Sequence, residues 1–431
     1  MKSIWSDFSM PHFERLEKDI KTDVLIIGGG IAGLLIAHEL KKRGVDCVIA
    51  EANTICSGIT KNTTAKITSQ HGLIYSKLIN DAGVEAAKLY LDANEKAISK
   101  YKRLCKSIDC DFEETDSYVF TLADKSILEN EMRALSFLGS NAEFEKQPTL
   151  PFETAGAVKF KNQAQFHPLK FAAAIAKDLK IYESTEVTDI LGHTAKTLHG
   201  KITADKIVVA THFPFINRHG LYFIKMYQAR SYVIAIKNAH INGMYVDGND
   251  SGLSLRSYGD FLLIGSGGHR TGKQNDGWSY AQDIANRHYP QAEVAFKWAN
   301  QDCITLDELP YIGQYSKSTP NMYVATGFNK WGLTSAMVAA DIIADAICER
   351  KNDYSDLYSP SRSILKKQLA INTFETATNL LRLSKPRCPH LGCALKWNKK
   401  ERSWDCPCHG SRFSESGKVI DNPAMKGLEK H

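Results

Sequence analysis

Residues Asp23-Val-Leu-Ile-Ile27 form a short apolar run of strand-favouring residues, and Gly28-Gly29-Gly30-Ile31-Ala32-Gly33 follows it directly. Leu34–Arg43 then reads as a helix, with Lys41, Lys42 and Arg43 at its negative end and Gly44 beyond it. A second strand, Val45–Ala50, ends at Glu51. Strand, glycine turn, helix and strand in that order leave few options besides the first βα unit of an open, largely parallel sheet. Gly28 permits the tight turn, Gly30 lets a pyrophosphate approach the backbone, and Gly33 lets helix and strand pack closely. Ile31 and Ala32 lie at the positive end of that helix, which faces the phosphates, and Glu51 can accept from ribose hydroxyls. The bland alternative is a glycine-rich turn without a ligand; the context favours a dinucleotide.

Two later segments select FAD over NAD. Asp205–Thr211 reads as a strand ending in Ala-Thr, with His212 where flavoproteins of this fold usually have glycine. Met322–Gly327 is another strand, followed by a turn through Trp331 and Gly332 and a helix over Leu333–Cys348. That helix would aim its positive end at the flavin pyrimidine edge, which becomes anionic on reduction. Further on, Cys388-Pro-His390 and Cys406-Pro-Cys408-His409 are separated by fifteen residues. One Cys and one His in each of two short loops is the ligand set of a Rieske [2Fe–2S] centre, with thiolates on one iron and imidazoles on the other. Cys388, His390, Cys406 and His409 are therefore the expected metal ligands. A tetrahedral zinc site is the alternative.

The net charge of +6 is spread without a basic run, so no nucleic-acid partner is expected. No apolar run reaches the ~18–20 residues of a membrane span. Met1–Phe13 lacks the apolar core of a signal peptide, so a cytoplasmic protein without a membrane partner is expected. The length of 431 residues predicts about two to three domains. Cys47, Cys56, Cys105, Cys110, Cys303 and Cys348 are scattered and read as packing residues.

Residues 20–350 resemble the D-amino-acid oxidase/glycine oxidase group of FAD-dependent oxidoreductases. The fingerprint, Phe166-His-Pro-Leu169, Asp307-Glu-Leu-Pro-Tyr-Ile-Gly313 and Ala325-Thr-Gly327 carry the likeness. The tail, CPHLGC and CPCHGSRF, resembles Rieske proteins, so the whole chain looks like the bacterial FAD-dependent oxidoreductases with a C-terminal Rieske domain. The resemblance implies non-covalent FAD. It places Ser57, Gly58, Thr63, Thr64, Ala65 and Lys66 on the loop passing the flavin, and the backbone of Val187 near adenine. Thr211 and Gly327 fall at strand ends, and Trp331, Gly332, Leu333 and Thr334 in the turn beneath the pyrimidine ring. Lys66 falls where relatives place a basic group near flavin N5; the alternative is a solvated loop lysine, as a core tryptophan is for Trp331. The resemblance also implies a Cys393–Cys408 disulfide over the cluster. Ser411 matches a donor to the cluster sulfurs, but Phe413 stands where relatives have Tyr, so a lower potential is expected. Amino-acid oxidases hold the substrate carboxylate with an Arg at the position of Asp302. The charge is reversed here, so an amine, or a substrate held by Arg230 or Arg256, is expected; either arginine also reads as a surface or strand-edge residue. Cys303 lies three residues from the position where some relatives attach flavin, so no covalent link is expected.

The expected fold class is α/β: a Rossmann-like FAD-binding domain interleaved with an antiparallel-sheet substrate domain, plus a small abbreviated Rieske subdomain. FAD-binding segments fall at about 20–75, 150–212 and 320–350, and substrate-domain segments at about 76–150 and 213–319, within an oxidoreductase of residues 1–350. Residues 351–383 read as a linker (Lys351–Ser361) and a helical bridge (Ser363–Leu383). The 48 residues from 384 to 431 are few for a domain and need the cluster, the disulfide and docking to fold. An alternative is a degenerate piece that loads no cluster; the four ligands present argue against it. The expected function is a dehydrogenase. A small amine-like substrate gives a hydride to FAD, and electrons pass singly to the cluster and an unidentified acceptor, or inward from a donor. The rivals are an oxygen-using flavin oxidase with a structural metal lobe, and a non-enzymatic redox sensor or electron carrier. Oligomeric state is not indicated.

Overall fold

A computed structural model describes residues 2–429 apart from 250, 251, 274, 275, 383 and 385. The fingerprint folds as strand Ile20–Ile27, helix Ile31–Lys42 and strand Cys47–Ala50. Ile20–Ile27 pairs in parallel with Cys47–Ala50 on one side and Lys201–Val209 on the other. Lys180–Tyr182 extends the sheet beyond Cys47–Ala50, and Met322–Thr326 extends it beyond Lys201–Val209. Tyr311–Gln314 closes the far edge antiparallel. Both faces of the central strands are buried, which is why they read as unbroken Val/Ile runs. Helices Ile31–Lys42 and Gly332–Ile347 share one apolar core, and both begin just past the carboxyl end of a strand. In an open α/β sheet that edge is where ligands bind.

The second sheet runs Glu293–Thr305, Met226–Lys237, Phe261–Arg270, Ser254–Tyr258, Met244–Asp247, Glu113–Thr121, Gly156–Gln165, Lys66–Ile67. It is antiparallel except where Met244–Asp247 runs parallel to Glu113–Thr121. The sheet curls upon itself. Trp298 Nε1, near one edge, donates to the Asn62 carbonyl at 2.9 Å, and Asn62 lies just ahead of the strand at the other edge. Helix Val84–Cys105 closes the flank through Tyr90, Ala97 and Tyr101.

Four segment assignments differ from expectation. Gly156–Gln165 and Lys66–Ile67 belong to the curled sheet rather than the FAD layer, because Gly156–Gln165 is the antiparallel partner of both Glu113–Thr121 and Lys66–Ile67. Tyr311–Gln314 returns to the FAD layer; Pro310 ends the preceding segment, and the strand folds back on Met322–Thr326. Lys351–Ser361 is no open linker, since Ser355–Tyr358 forms a helical turn with Tyr358 buried and stacked on Tyr90 at 6.0 Å. The bridge is a helix over Lys367–Leu381; residue 383, its expected end, lies outside the described residues.

The C-terminal lobe is a four-stranded meander: Lys396–Asn398, Ser403–Asp405, Arg412–Ser414, Val419–Asp421. Its small core gathers Cys388, Cys393, Cys406, Cys408, Leu395 and Phe413. A buried ion cluster fixes it to the body. Glu401 accepts from Arg230 Nε at 2.7 Å, Arg412 Nη2 at 2.9 Å and the Tyr232 hydroxyl at 3.1 Å. Arg412 also donates to Asp405 at 2.9 Å and Asp421 at 3.0 Å. Gln228 adds bonds to the carbonyls of His409 at 2.9 Å and Asn422 at 2.8 Å. Arg230 is thus part of the lobe's docking contact. Among the described residues no helix is long and apolar enough to cross a membrane.

Candidate active site and metal centre

The glycine positions follow from close approach. A Cβ on Gly28, whose φ is +110°, would sit 2.5 Å from the Ala210 carbonyl oxygen, and one on Gly33 would sit 2.0 Å from the Gly28 oxygen. Gly30 precedes the helix with no side-chain cap, and a Cβ there would meet only Thr60 Oγ1 at 3.5 Å, so the space above the helix start is open. Thr60 Oγ1 accepts from the Ile31 N–H at 3.1 Å, a helix-start contact that the sequence pattern does not reveal. Ala32 is buried beneath this turn. Glu51 accepts from the Gly29 N–H at 2.6 Å and the Asn53 N–H at 2.8 Å. Burial raises its pKa and these bonds oppose the rise. Val187 is buried, and its backbone N–H and C=O take no partner among the described residues. Orphan N–H groups at a helix start, an acidic side chain beside them and free backbone nearby suit a dinucleotide.

A cavity of about 770 Å³ opens between the curled sheet and the carboxyl edge of the FAD layer. Thr63, Thr64, Lys66, Trp331, Gly332 and Leu333 line it; Ala65 and Thr334 are buried behind the wall, and Ser57 and Gly58 lie earlier on the same loop. Lys66 opens the strand Lys66–Ile67 and lines the cavity, partly exposed. It donates to Thr64 Oγ1 at 3.1 Å, and burial, helped by the charge of Arg256, brings its pKa down to about 7. Trp331 is no core tryptophan: it faces the cavity with its ring stacked on His71 at 4.9 Å. His71 bonds to Tyr90, Thr68 and Thr334 at 2.6–2.9 Å, and burial lowers its pKa to about 3. Nothing in the sequence pattern singled it out. Gly327, at φ +71°, must be glycine, since a Cβ would lie 2.3 Å from Thr305 Cγ2. His212 adopts φ +66°, the conformation of the glycine it replaces, and the Thr211 carbonyl is held by Asn422 at 2.8 Å.

Asp302 lines the cavity. Asn300 Nδ2 donates to it at 3.3 Å, and burial raises its pKa to about 6 against the charges of Lys330 and Arg230. Arg256 is outside the cavity wall: fully buried, it donates to the Ala65 carbonyl at 3.2 Å and to Gln165 at 3.0 Å. Neither Arg230 nor Arg256 lines the cavity. Cys303 is buried with Sγ directed at the His212 carbonyl, away from the cavity lining.

In the C-terminal lobe, Cys388 and Cys406 are buried free thiols within hydrogen-bonding reach of each other. That bond draws Cys388 down to about 7 against burial, helped by the His390 and Leu391 N–H groups and the Ser411 hydroxyl, while Cys406 is pushed up. Cys393 and Cys408 are joined in a disulfide, so neither offers a thiolate, although the sulfurs of Cys393, Cys406 and Cys408 lie within 4.8 Å of one another. The rings of His390 and His409 meet edge-on at 5.0 Å. Burial lowers both, to about 4 and about 3, so both are neutral imidazoles at pH 7. His390 Nε2 bonds to Asn217 Oδ1 at 3.0 Å, leaving Nδ1 without a partner; neither ring nitrogen of His409 has one. Two buried thiols and two neutral imidazoles with orphaned nitrogens suit two irons of unlike ligation.

The lobe's histidine side faces the body. His409 packs against Phe213 at 6.5 Å and Phe223 at 6.1 Å. Arg270, on the cavity wall, donates to the carbonyls of Pro407 at 2.8 Å and Cys408 at 2.9 Å. One side chain thereby joins the cavity to the second cysteine loop. Asn217 and Arg270 carry no motif, and only the fold brings them there.

Residues 23–346 match the family model described as FAD dependent oxidoreductase, and residues 350–431 match the Rieske [2Fe-2S] domain. A Bacillus subtilis (strain 168) protein named for a Rieske 2Fe-2S iron-sulfur centre, YhfW, is 35% identical, over 98% of this chain and 95% of its own. An Escherichia coli (strain K12) gamma-glutamylputrescine oxidoreductase is 23% identical over 80% of this chain and 88% of its own. The solved L-proline dehydrogenase from P. horikoshii superposes with a TM-score of 0.68 at 20% identity, covering 79% of this chain and 97% of that one. Glycine oxidase from Geobacillus kaustophilus gives 0.67 at 22%, covering 80% and 99%. At such identities these two structures speak for the fold alone.

Proposed function

Because this chain belongs to the FAD dependent oxidoreductase family and ends in a Rieske [2Fe-2S] domain, we propose that it is a dehydrogenase that oxidises a small amine-like substrate and passes electrons singly to its own cluster. FAD, when bound, supplies hydride acceptance, and the cluster supplies one-electron transfer. The observation that carries the reading is the docked lobe: both imidazoles point into the body, and Arg270 links the cavity wall to the Cys406–His409 loop. A simple oxidase has no use for that arrangement.

The chain's own residues fit an amine. Asp302 and Asn300 offer acceptors in the cavity to an ammonium group or an N–H. Lys66, near neutrality in its protonation, can take up a proton as the substrate amine becomes the free base that a hydride donor must be. Trp331 and His71 line the cavity as a stacked pair of flat rings. Fingerprint residues Gly28, Gly30, Ile31 and Gly33, with Glu51, would hold the dinucleotide, and Cys388, His390, Cys406 and His409 the irons. Anaerobic titration with primary, secondary and cyclic amines tests this. Flavin bleaching by an amine supports it; bleaching by none of them, with rapid bleaching by α-amino acids, contradicts it.

A further inference from the structure

The bridge helix is inside out. Over Lys367–Leu381 its buried residues are Asn372 and Asn379, whereas Leu365, just before it, is 84% exposed, Phe374 70% and Leu381 81%. The inner face is pinned by polar contacts: Arg270 donates to Asn372 Oδ1 at 2.8 Å, Asn372 Nδ2 donates to the Ile224 carbonyl at 3.3 Å, and the Ala394 N–H donates to the Asn379 carbonyl at 3.0 Å. The helix therefore cannot roll its apolar side inward without losing them. That side forms a shallow groove of about 610 Å³. A contiguous apolar face of this kind on a folded surface marks an interaction site.

Its neighbourhood tells what covers it. Leu380 and the half-exposed Leu391 continue the face onto the first cluster loop, where Arg387 bonds the Leu380 and Gly392 carbonyls at 3.2 and 2.7 Å. The face is basic at both ends, with Lys366 and Lys367 before it and Arg382, Arg387 and Lys396 after. Glu375 is the only acid on the helix, and Lys273 neutralises it. An isologous contact between two copies would set one basic end against another, which disfavours self-association. The opposite side of the cluster, at His390 and His409, is closed by the body. We propose that the outer face of the bridge helix, with Leu391, is the docking surface for a small acidic electron-carrier protein. It rests on the reading that the cluster exchanges electrons with an external partner. An apolar centre with a charged rim is the form such transient contacts take.

Calorimetric titration of the intact flavin- and cluster-loaded protein with a plant-type [2Fe–2S] ferredoxin, at about 20 mM and about 200 mM salt, tests this. The expected result is binding that weakens about tenfold or more between the two conditions. Phe374→Ser with Leu381→Ser should weaken it at least about tenfold, and Lys367→Glu with Arg382→Glu should abolish it. These side chains are exposed, and unchanged flavin and cluster spectra confirm that each variant is folded. Absence of binding at low salt, or binding indifferent to both pairs, overturns the proposal. So does a sedimenting dimer that Phe374→Ser with Leu381→Ser splits, which assigns the face to a second copy. Flotation with phosphatidylglycerol vesicles that the same variant loses assigns it to lipid and overturns it equally. Binding is read without amine turnover, so failure of the substrate reaction and failure of the complex are separate results.

Discussion

Glu401→Gln should loosen the C-terminal lobe while leaving the body intact. Glu401 is nearly inaccessible, between Arg230 on the body and Arg412 in the lobe, with side-chain exposures of 3%, 7% and 4%. Burial would raise its pKa, but hydrogen bonds and charge from Arg230, and charge from Arg412, hold it below the usual carboxylate value. Removing one partner of such a pair costs about 3–5 kcal/mol. The low end applies, because Asp421 stays 3.7 Å from Arg230 and glutamine keeps one acceptor. About 3 kcal/mol is roughly a 150-fold change in the docking equilibrium. With a denaturant slope of about 1–3 kcal/mol/M, the lobe's urea midpoint falls by on the order of 1–3 M. The assay follows cluster circular dichroism and flavin fluorescence in parallel. The cluster transition should move and the flavin transition should not. A shift below about 0.3 M in both would refute the role given to this carboxylate. Acid should mimic the mutation. A depressed carboxylate contributes above its unfolded pKa and is lost as pH falls through its folded value, so wild-type docking should weaken below about pH 4 and the variant, which lacks that carboxylate, should weaken less.

Gly33→Ala should yield protein depleted of FAD, because the new Cβ would collide with the Gly28 carbonyl and push the helix from its strand; a flavin content near wild type would contradict this. Asp302→Asn should raise KM for a cationic amine by about 10–100-fold, the loss of one charged hydrogen bond, with a smaller effect on kcat. In the wild type, the same binding should be present above about pH 6, where Asp302 is ionised, and fall below it; a pH-independent KM would contradict this. Phe413→Tyr would place a hydroxyl in the cluster-side core and should raise the cluster potential by about 1 kcal/mol, or about 40 mV for one electron, read by redox titration.

The local, repetitive parts of this molecule were legible in its sequence. The glycine fingerprint, the two-loop Cys/His pattern and the helix after Gly327 each depend on residues a few positions apart, so spacing alone carries them. Long-range partnership was not. Gly156–Gln165 could be read as a strand, but not that its partner is Glu113–Thr121. Arg230 and Arg256 could be read as substrate-holding or as surface or strand-edge residues, but not as buried ones, because their partners, Glu401 and the Ala65 carbonyl, lie 171 and 191 residues away. His71, Asn217 and Arg270 bear on the two centres only because the curled sheet and docked lobe bring them there. The bridge could be read as a helix, but not which side faces the body: Phe374 and Leu381 point outward, while Asn372 bonds Arg270 and the Ile224 carbonyl within.

In the proposed dehydrogenase, flavin and cluster form one electron-exchanging unit. Anaerobic photoreduction of the bound flavin, followed by freezing for EPR, tests it without any substrate. A Rieske-type signal should grow as the flavin loses electrons, reaching the intensity obtained with dithionite. A fully reduced flavin beside a cluster that stays EPR-silent, yet is reducible by dithionite, would contradict it.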